Sequence, residues 1–112
     1  MKGEISRLIE IIAKRFPFDE NHYPELRGAS ETERLLFAVR HSALHFAKTS
    51  GKIAAVSEDV DHGNALDMSD AKTSVTKALI DILRLAELLG MTEEDITKAI
   101  EEKCNGHENI KN

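Results

Sequence analysis

Two histidines four positions apart are the first candidates for chemistry in this sequence. His41 and His45 fall on one face of a helix, a spacing that lets two imidazoles share one metal ion. Imidazole suits zinc, nickel or copper better than magnesium. Spacing alone is weak evidence, so ordinary, half-exposed helix residues are the favoured interpretation and a metal site is the alternative. Further ligands for such a site would come from Asp59, Asp61, His62 and Asp67.

Cationic side chains suggest a second chemistry, the binding of a phosphate without a metal ion. Charged helix residues are usually solvated, which favours the simpler interpretation that Lys77 and Arg84 lie on a helix rim. A hydrolase triad of Ser42, His45 and Asp81 is disfavoured, because one helix lacks the sharp turn that presents a nucleophile. The cations considered are Lys77, Arg84, Arg40 and Lys48.

Helices must position these residues, and the first half of the sequence predicts two helices. Apolar residues at helical spacing predict a first helix over residues 3–16, ended by Pro17. Ser30 and Glu33 form the capping-box pattern that starts a second helix. We expect this helix to fade near residues 49–51. The following stretch, residues 51–68, gives no firm prediction of secondary structure.

The second half predicts two more helices. Ser69 can cap a third helix, and Gly90 falls where a glycine in the left-handed conformation ends it. Thr92 and Asp95 then start a fourth helix that reaches about Cys104. The remaining residues, 105–112, form a polar tail, and residues 1–112 are predicted to form a single domain.

Two of the predicted helices carry broad apolar faces. Two long helices and two short ones make a thin bundle for a chain of this size, so we expect a homodimer in which a second copy completes the bundle. The residues that mark these faces are Leu35, Val39, Ser42 and Phe46 on the second helix and Val75, Leu79, Ile82, Ala86 and Leu89 on the third.

Composition narrows the function classes. The 112 residues carry a formal charge of −5, and no basic stripe is present, so nucleic acid is not an expected partner. No apolar run has the length of a bilayer span, so a membrane is not an expected partner either. The sequence has one cysteine and no recognisable export signal, which favours a reducing, cytoplasmic location.

Two segments resemble the MazG-like, all-α nucleoside-triphosphate pyrophosphohydrolases. Residues 78–90 (ALIDILRLAELLG), followed by MTEEDI, are similar to the apolar helix and acidic-start helix of that family. Residues 37–48 (FAVRHSALHFAK) are similar to its preceding helix. The resemblance covers residues 30–104 in the correct order, and it implies a MazG-like bundle of four to five helices.

The resemblance also implies where a site would lie. In the family, an EExxE motif and an ExxD motif on two helices hold magnesium. The EExxE positions correspond here to His41, Ser42 and His45, and the ExxD positions correspond to Ser74 and Lys77. None of these is a carboxylate, so bound Mg²⁺ and magnesium-dependent hydrolysis are not expected, and no other cofactor is expected. The five residues would line the remnant of the cleft, with residues 41–45 facing residues 74–77 across an antiparallel helix pair.

Three hypotheses for function follow from these observations. The first is a divergent, non-catalytic MazG-like protein that binds a nucleotide, another small ligand or a protein partner in the remnant cleft. The second is an active nucleotide phosphohydrolase in which His41, His45 and downstream acids rebuild a metal site. The third is an unrelated helical interaction module that shares only amphipathic patterning. The sequence identifies no catalytic residue and no particular ligand.

Overall fold

The protein is all-helical in a computed structural model that describes residues 3–111, and side chains from residue 3 to residue 106. The helices are α1 (Glu4–Arg15), α2 (Glu31–Asp61), α3 (Met68–Leu88) and α4 (Glu93–Lys111), with a 3₁₀ turn at Pro24–Leu26. No strand occurs among the described residues. The predicted all-α class is therefore confirmed. None of these helices combines the length and the hydropathy needed to cross a membrane.

The predicted helix starts at Ser30 and Thr92 are confirmed by reciprocal hydrogen bonds. The Ser30 hydroxyl accepts from the Glu33 amide at 3.1 Å, and the Glu33 carboxylate accepts from the Ser30 amide at 3.0 Å. Thr92 and Asp95 exchange the same two bonds at 3.1 and 2.9 Å. Each pair satisfies two amides that the first turn of a helix leaves without partners.

The predicted end of α3 at Gly90 is also confirmed. Gly90 has a φ of +77°, the left-handed conformation that a residue with a Cβ adopts at a cost. Its amide donates to the carbonyl of Glu87, and the amide of Met91 donates to the carbonyl of Ala86, both at 2.9 Å. This pair of bonds is the Schellman arrangement, and it turns the chain directly into α4.

The prediction that the second helix fades near residues 49–51 is wrong. Gly51 lies inside α2, which continues to Asp61. One glycine costs a helix only about 1 kcal/mol relative to alanine, and the apolar, alanine-containing stretch that follows propagates the helix. The start of α3 also differs, because its N-cap is Asp67 rather than Ser69, with the Asp67 carboxylate accepting from the Asp70 amide at 3.0 Å.

The hairpin of α2 and α3 forms the centre of the molecule. The short connection over residues 62–67 makes the two helices antiparallel, and the Thr49 hydroxyl donates to the Asp81 carboxylate at 3.3 Å across them. This bond sets the register. Ser74 lies seven residues nearer the connection, a rise of about 10 Å, and is therefore level with Val56. The expectation that residues 41–45 face residues 74–77 is wrong, because the extension of α2 displaces the connection.

The remaining elements lie against this hairpin. The loop between α1 and α2 is held by buried Leu26 and by an ion pair in which Arg34 donates to Glu20 at 2.6 Å. Glu93, at the start of α4, accepts from the amides of Ile5 and Ser6 at 3.0 and 3.2 Å. A carboxylate at a helix N-terminus is favourable for both hydrogen bonding and the helix dipole, so Glu93 joins the starts of α1 and α4.

The predicted end of the fourth helix near Cys104 is wrong, because α4 continues to Lys111. The predicted polar tail, residues 105–112, is therefore helical as far as the structure describes it. No proline follows Cys104, and the single glycine at 106 does not stop a helix. Residues 1, 2 and 112 of the predicted single domain lie outside the described residues.

The core is small for the length of the chain. Among the described residues, no large side chain is less than 2% exposed. The radius of gyration is 17.4 Å, whereas a compact chain of this length has about 13 Å. The apolar face predicted for the third helix is mostly exposed, including Val75, Leu79 and Ile82. The buried apolar residues are Ile12, Leu26, Ala38, Val56 and Ala86.

Candidate functional site

A cavity of about 380 Å³ opens between α1, the loop that follows it, and one side of the α2–α3 hairpin. Its volume lies in the range of small-molecule sites, about 300–1,000 Å³. The residues that line it are Ile12, Phe16, Phe18, Tyr23, His41, Ser42, His45, Lys48, Thr49, Lys52, Lys77, Ile80, Asp81 and Arg84.

The structure brings four of the five predicted cleft residues to this cavity. His41, Ser42, His45 and Lys77 line it. Ser74 does not, because it lies buried in the contact between α2 and α3, nearer the connection. Ser74 is 4% exposed, so it contributes to packing and not to the cavity.

A stripe of basic side chains runs along the cavity side of α2. His41, His45, Lys48 and Lys52 follow one another at intervals of four, three and four residues, the spacing of one helix face. Sequence reasoning missed Lys52 because it ended the helix before that position. The repeat itself was a signal that could have shown that the stripe continues.

An aromatic wall faces this stripe at the end nearer α1. The rings of Phe18 and Tyr23 stack with centroids 5.4 Å apart, and Tyr23 meets His41 edge to face at 5.1 Å. The Tyr23 hydroxyl lies 3.2 Å from Nε2 of His41. Phe37 stacks on the same imidazole at 5.7 Å and also contacts Tyr23 at 5.2 Å, so the three rings form one cluster. Sequence reasoning missed Phe18 and Tyr23 because they lie in an irregular loop, where no periodicity shows which way a side chain points.

The environment of His41 keeps its imidazole neutral. Burial lowers the pKa of His41 below its ordinary value of 6.5, and the positive charge of nearby His45 lowers this pKa further. Glu25 acts in the opposite direction. The centroids of the two imidazole rings are 4.7 Å apart, so protonation of both at once is unfavourable. At neutral pH, His41 therefore contributes a hydrogen-bonding ring and no full charge.

Arg84, on α3, lines the cavity directly beside the aromatic wall, and its side chain is nearly buried. Its guanidinium donates to the Glu87 carboxylate and lies 4.9 Å from the centroid of the Phe18 ring. Its Nε is buried and has no hydrogen-bond partner among the described residues. A buried donor without a partner is unfavourable.

The lining is strongly cationic, although the chain as a whole is acidic. Lys48, Lys52, Lys77 and Arg84 line the cavity together with a single carboxylate, Asp81. None of the three lysines forms an ion pair with another described residue. Asp81 accepts its hydrogen bond from Thr49, and no such bond joins it to His45. The cavity therefore concentrates positive charge in a molecule whose formal charge is −5.

The same geometry gives little support to the hypothesis of a metal site at His41 and His45. No group of three or more His, Cys, Asp or Glu side chains is placed to hold a metal ion in the described part of the chain. Asp59 lies 18 residues beyond His41 on the continuous helix α2, a rise of about 27 Å. Asp61, His62 and Asp67 lie farther along the chain, at or beyond that end of α2. A single chain therefore does not bring these acids to the two histidines.

Comparison with protein-family models, with curated proteins and with solved structures gives no match to this chain.

Proposed function

We propose that this chain is a divergent MazG-like protein that binds a small, phosphate-bearing molecule, with nucleotides as the leading class, directly through its cationic cavity. The family assignment rests on the resemblance of residues 30–104 alone, because the register of the α2–α3 hairpin does not bring residues 41–45 opposite residues 74–77. The lining of the cavity supports the ligand, because lysine ammonium groups and an arginine guanidinium are the side chains that bind phosphate oxygens without a metal. In this proposal, magnesium-dependent hydrolysis does not occur.

The observation that carries the proposal is the set of three lysines around the cavity, none of which forms an ion pair with another residue that the structure describes. Lys48 and Lys52 extend from α2, and Lys77 extends from α3, so the two helices present ammonium groups to one space. All three lysines are exposed, so their ammonium groups are free to move toward a bound anion. A ligand phosphate would be attracted by each of them, whereas a divalent cation would be repelled. The aromatic rings of Phe18 and Tyr23 give the same cavity an apolar end, as small-molecule sites usually have.

The test is a thermal-shift series on the purified protein. Inorganic phosphate, sulfate, nucleosides, and nucleoside mono- and triphosphates are each added in EDTA and, separately, in Mg²⁺, Mn²⁺ or Zn²⁺. A ligand that binds only the folded state raises the melting temperature. We expect the phosphorylated compounds to stabilise the protein in EDTA and the matched nucleosides to have less effect. Stabilisation that requires a metal would instead support the phosphohydrolase, and no response to any compound would support the helical interaction module.

Substitution of Lys77 tests the site itself. Lys77→Gln removes a charge-assisted hydrogen bond of about 1.5–3 kcal/mol, so the Kd of a stabilising ligand should rise about 10- to 100-fold. Lys72→Gln is the matched control, because Lys72 is exposed on the same helix and does not line the cavity. Titration calorimetry would measure both constants. Equal affinities for the two variants would show that the ligand binds elsewhere.

A further inference from the structure

One carboxylate lies inside the cationic cavity, that of Asp81 on α3. Asp81 is half-buried and lines the cavity together with the three lysines and Arg84. Its Oδ2 accepts a hydrogen bond from the Thr49 hydroxyl at 3.3 Å, and no other hydrogen bond or ion pair to this side chain occurs among the residues that the structure describes. An ionised carboxylate has about four acceptor sites on its two oxygens, so Asp81 keeps acceptors available to a molecule in the cavity.

Neither phosphate binding nor charge pairing explains this carboxylate. A negative group in an anion site weakens the attraction that the lysines provide. A counter-ion would form an ion pair with at least one neighbouring cation, but none of the three lysines pairs with Asp81, and Arg84 donates to Glu87 instead. Asp81 therefore has the free acceptors of a group that recognises a hydrogen-bond donor.

Asp81 lies between two different ends of the cavity. On α3, Lys77 is four residues nearer the connection than Asp81, a rise of about 6 Å, and Arg84 is three residues farther from it, a rise of about 4.5 Å. Lys52 on α2 is close to level with Lys77, because the hydrogen bond to Asp81 sets the register of the two helices. The Arg84 guanidinium lies 4.9 Å from the centroid of the Phe18 ring. The order along the hairpin is therefore two lysines, one carboxylate and the aromatic end.

We infer that Asp81 accepts hydrogen bonds from the sugar hydroxyls of the bound molecule, so that the cavity prefers ribonucleotides to nucleotides without those hydroxyls. The donor must be neutral, because the lysines and the arginine that line the cavity repel an ammonium group. A ribose lies between the base and the phosphates of a nucleotide, which is the order of the three parts of the cavity. Its adjacent hydroxyls can both donate to one carboxylate, as the 2′-hydroxyl does to an acidic residue in many dinucleotide sites. This inference rests on the proposed function and names the ligand class of the same site.

Titration calorimetry in EDTA tests the inference on the full chain. The probes are the common ribonucleoside 5′-triphosphates, their 2′,3′-dideoxy counterparts, and tripolyphosphate, which carries no sugar. The wild type should bind a ribonucleotide about 10- to 100-fold more tightly than its dideoxy counterpart, the range expected when a hydrogen bond to a charged group is lost.

Substitution of Asp81 should change sugar recognition and phosphate attraction in opposite directions. Asp81→Ala should bind a ribonucleotide and its dideoxy counterpart equally, because the acceptor is gone. It should bind tripolyphosphate more tightly than the wild type does, because the negative charge is gone as well. Asp59→Ala is the control, since Asp59 is exposed on α2 and does not line the cavity, and this variant should keep the wild-type preference.

Equal wild-type affinities for a ribonucleotide and its dideoxy counterpart would overturn the inference and leave the proposed function standing. So would a preference that Asp81→Ala retains, or binding of tripolyphosphate without binding of any nucleotide. If none of the probes binds, the proposed function fails and the inference fails with it. Circular dichroism shows whether Asp81→Ala keeps its helices. If it unfolds, Asp81→Asn replaces it and still offers an oxygen to Thr49, and an Asn variant that matches the wild type in both measurements would overturn the inference.

Discussion

At the scale of single residues, His41 makes the stability of the folded protein depend on pH. It packs against Tyr23 and Phe37, and burial is the largest cause of its lowered pKa. The folded protein therefore binds this proton less tightly than the unfolded chain does. The stability that neutral His41 contributes is fully present above pH 6.5 and is lost as the pH falls through the lowered pKa.

The corresponding prediction concerns acid stability in the absence of ligand. The melting temperature of the wild type should fall below pH 6.5. His41→Gln should flatten this decline, because the variant has no proton to take up at that position. His62→Gln is the control, since His62 lies exposed at the end of α2, and this variant should keep the wild-type decline. A His41→Gln profile parallel to the wild type would exclude His41 as the group responsible.

At the scale of helices, we expect stability changes of opposite sign when either of two glycines is replaced by alanine. Gly51 lies in the interior of α2, and an added Cβ would have no atom within 4 Å. Gly51→Ala should therefore stabilise the protein by about 0.5–1 kcal/mol, because alanine loses less conformational freedom in a helix. Gly90 also has open space around it, but its φ is +77°. Gly90→Ala should destabilise the protein by about 1–2 kcal/mol.

Urea unfolding at a fixed protein concentration measures both changes in the free energy of unfolding. Each variant serves as the control for the other, since both add one methyl group in open space. The same sign for both substitutions would contradict the difference in backbone conformation on which this prediction rests.

The helix ends show which parts of the fold can be predicted from sequence. The starts at Ser30 and Thr92 and the end at Gly90 were predictable, because each depends on hydrogen bonds within a few residues. The continuation of α2 through Gly51 was not, because a single glycine is a weak local signal that the rest of the helix and its packing against α3 override. That error also misplaced Ser74 and concealed the contribution of Lys52 to the cavity.

At the scale of the whole molecule, the apolar faces of the helices are also features whose final surroundings local sequence does not predict. The periodicity of the apolar residues predicted four helices. It does not show whether an apolar face is covered by the same chain or by another one, because burial removes a side chain from water equally in both arrangements. Val75 and Leu79 fit the pattern of a core and are nevertheless exposed in the single chain. The aromatic wall was equally hidden, since only the folded loop brings Phe18 and Tyr23 against His41.

If two chains share one core, stability must depend on protein concentration. Unfolding then separates the chains, so a 100-fold rise in concentration adds about 2.7 kcal/mol and should raise the wild-type melting temperature by about 5–10 °C. Leu79→Arg places a cation on the exposed apolar face of α3, so it should melt lower and at the same temperature throughout, because its chains are already separate. Ile11→Arg changes a similarly exposed residue of α1 and should follow the slope of the wild type. Differential scanning calorimetry measures all three, and a wild-type melting temperature that does not change with concentration would mean that each chain folds alone, with the apolar face of α3 exposed to water.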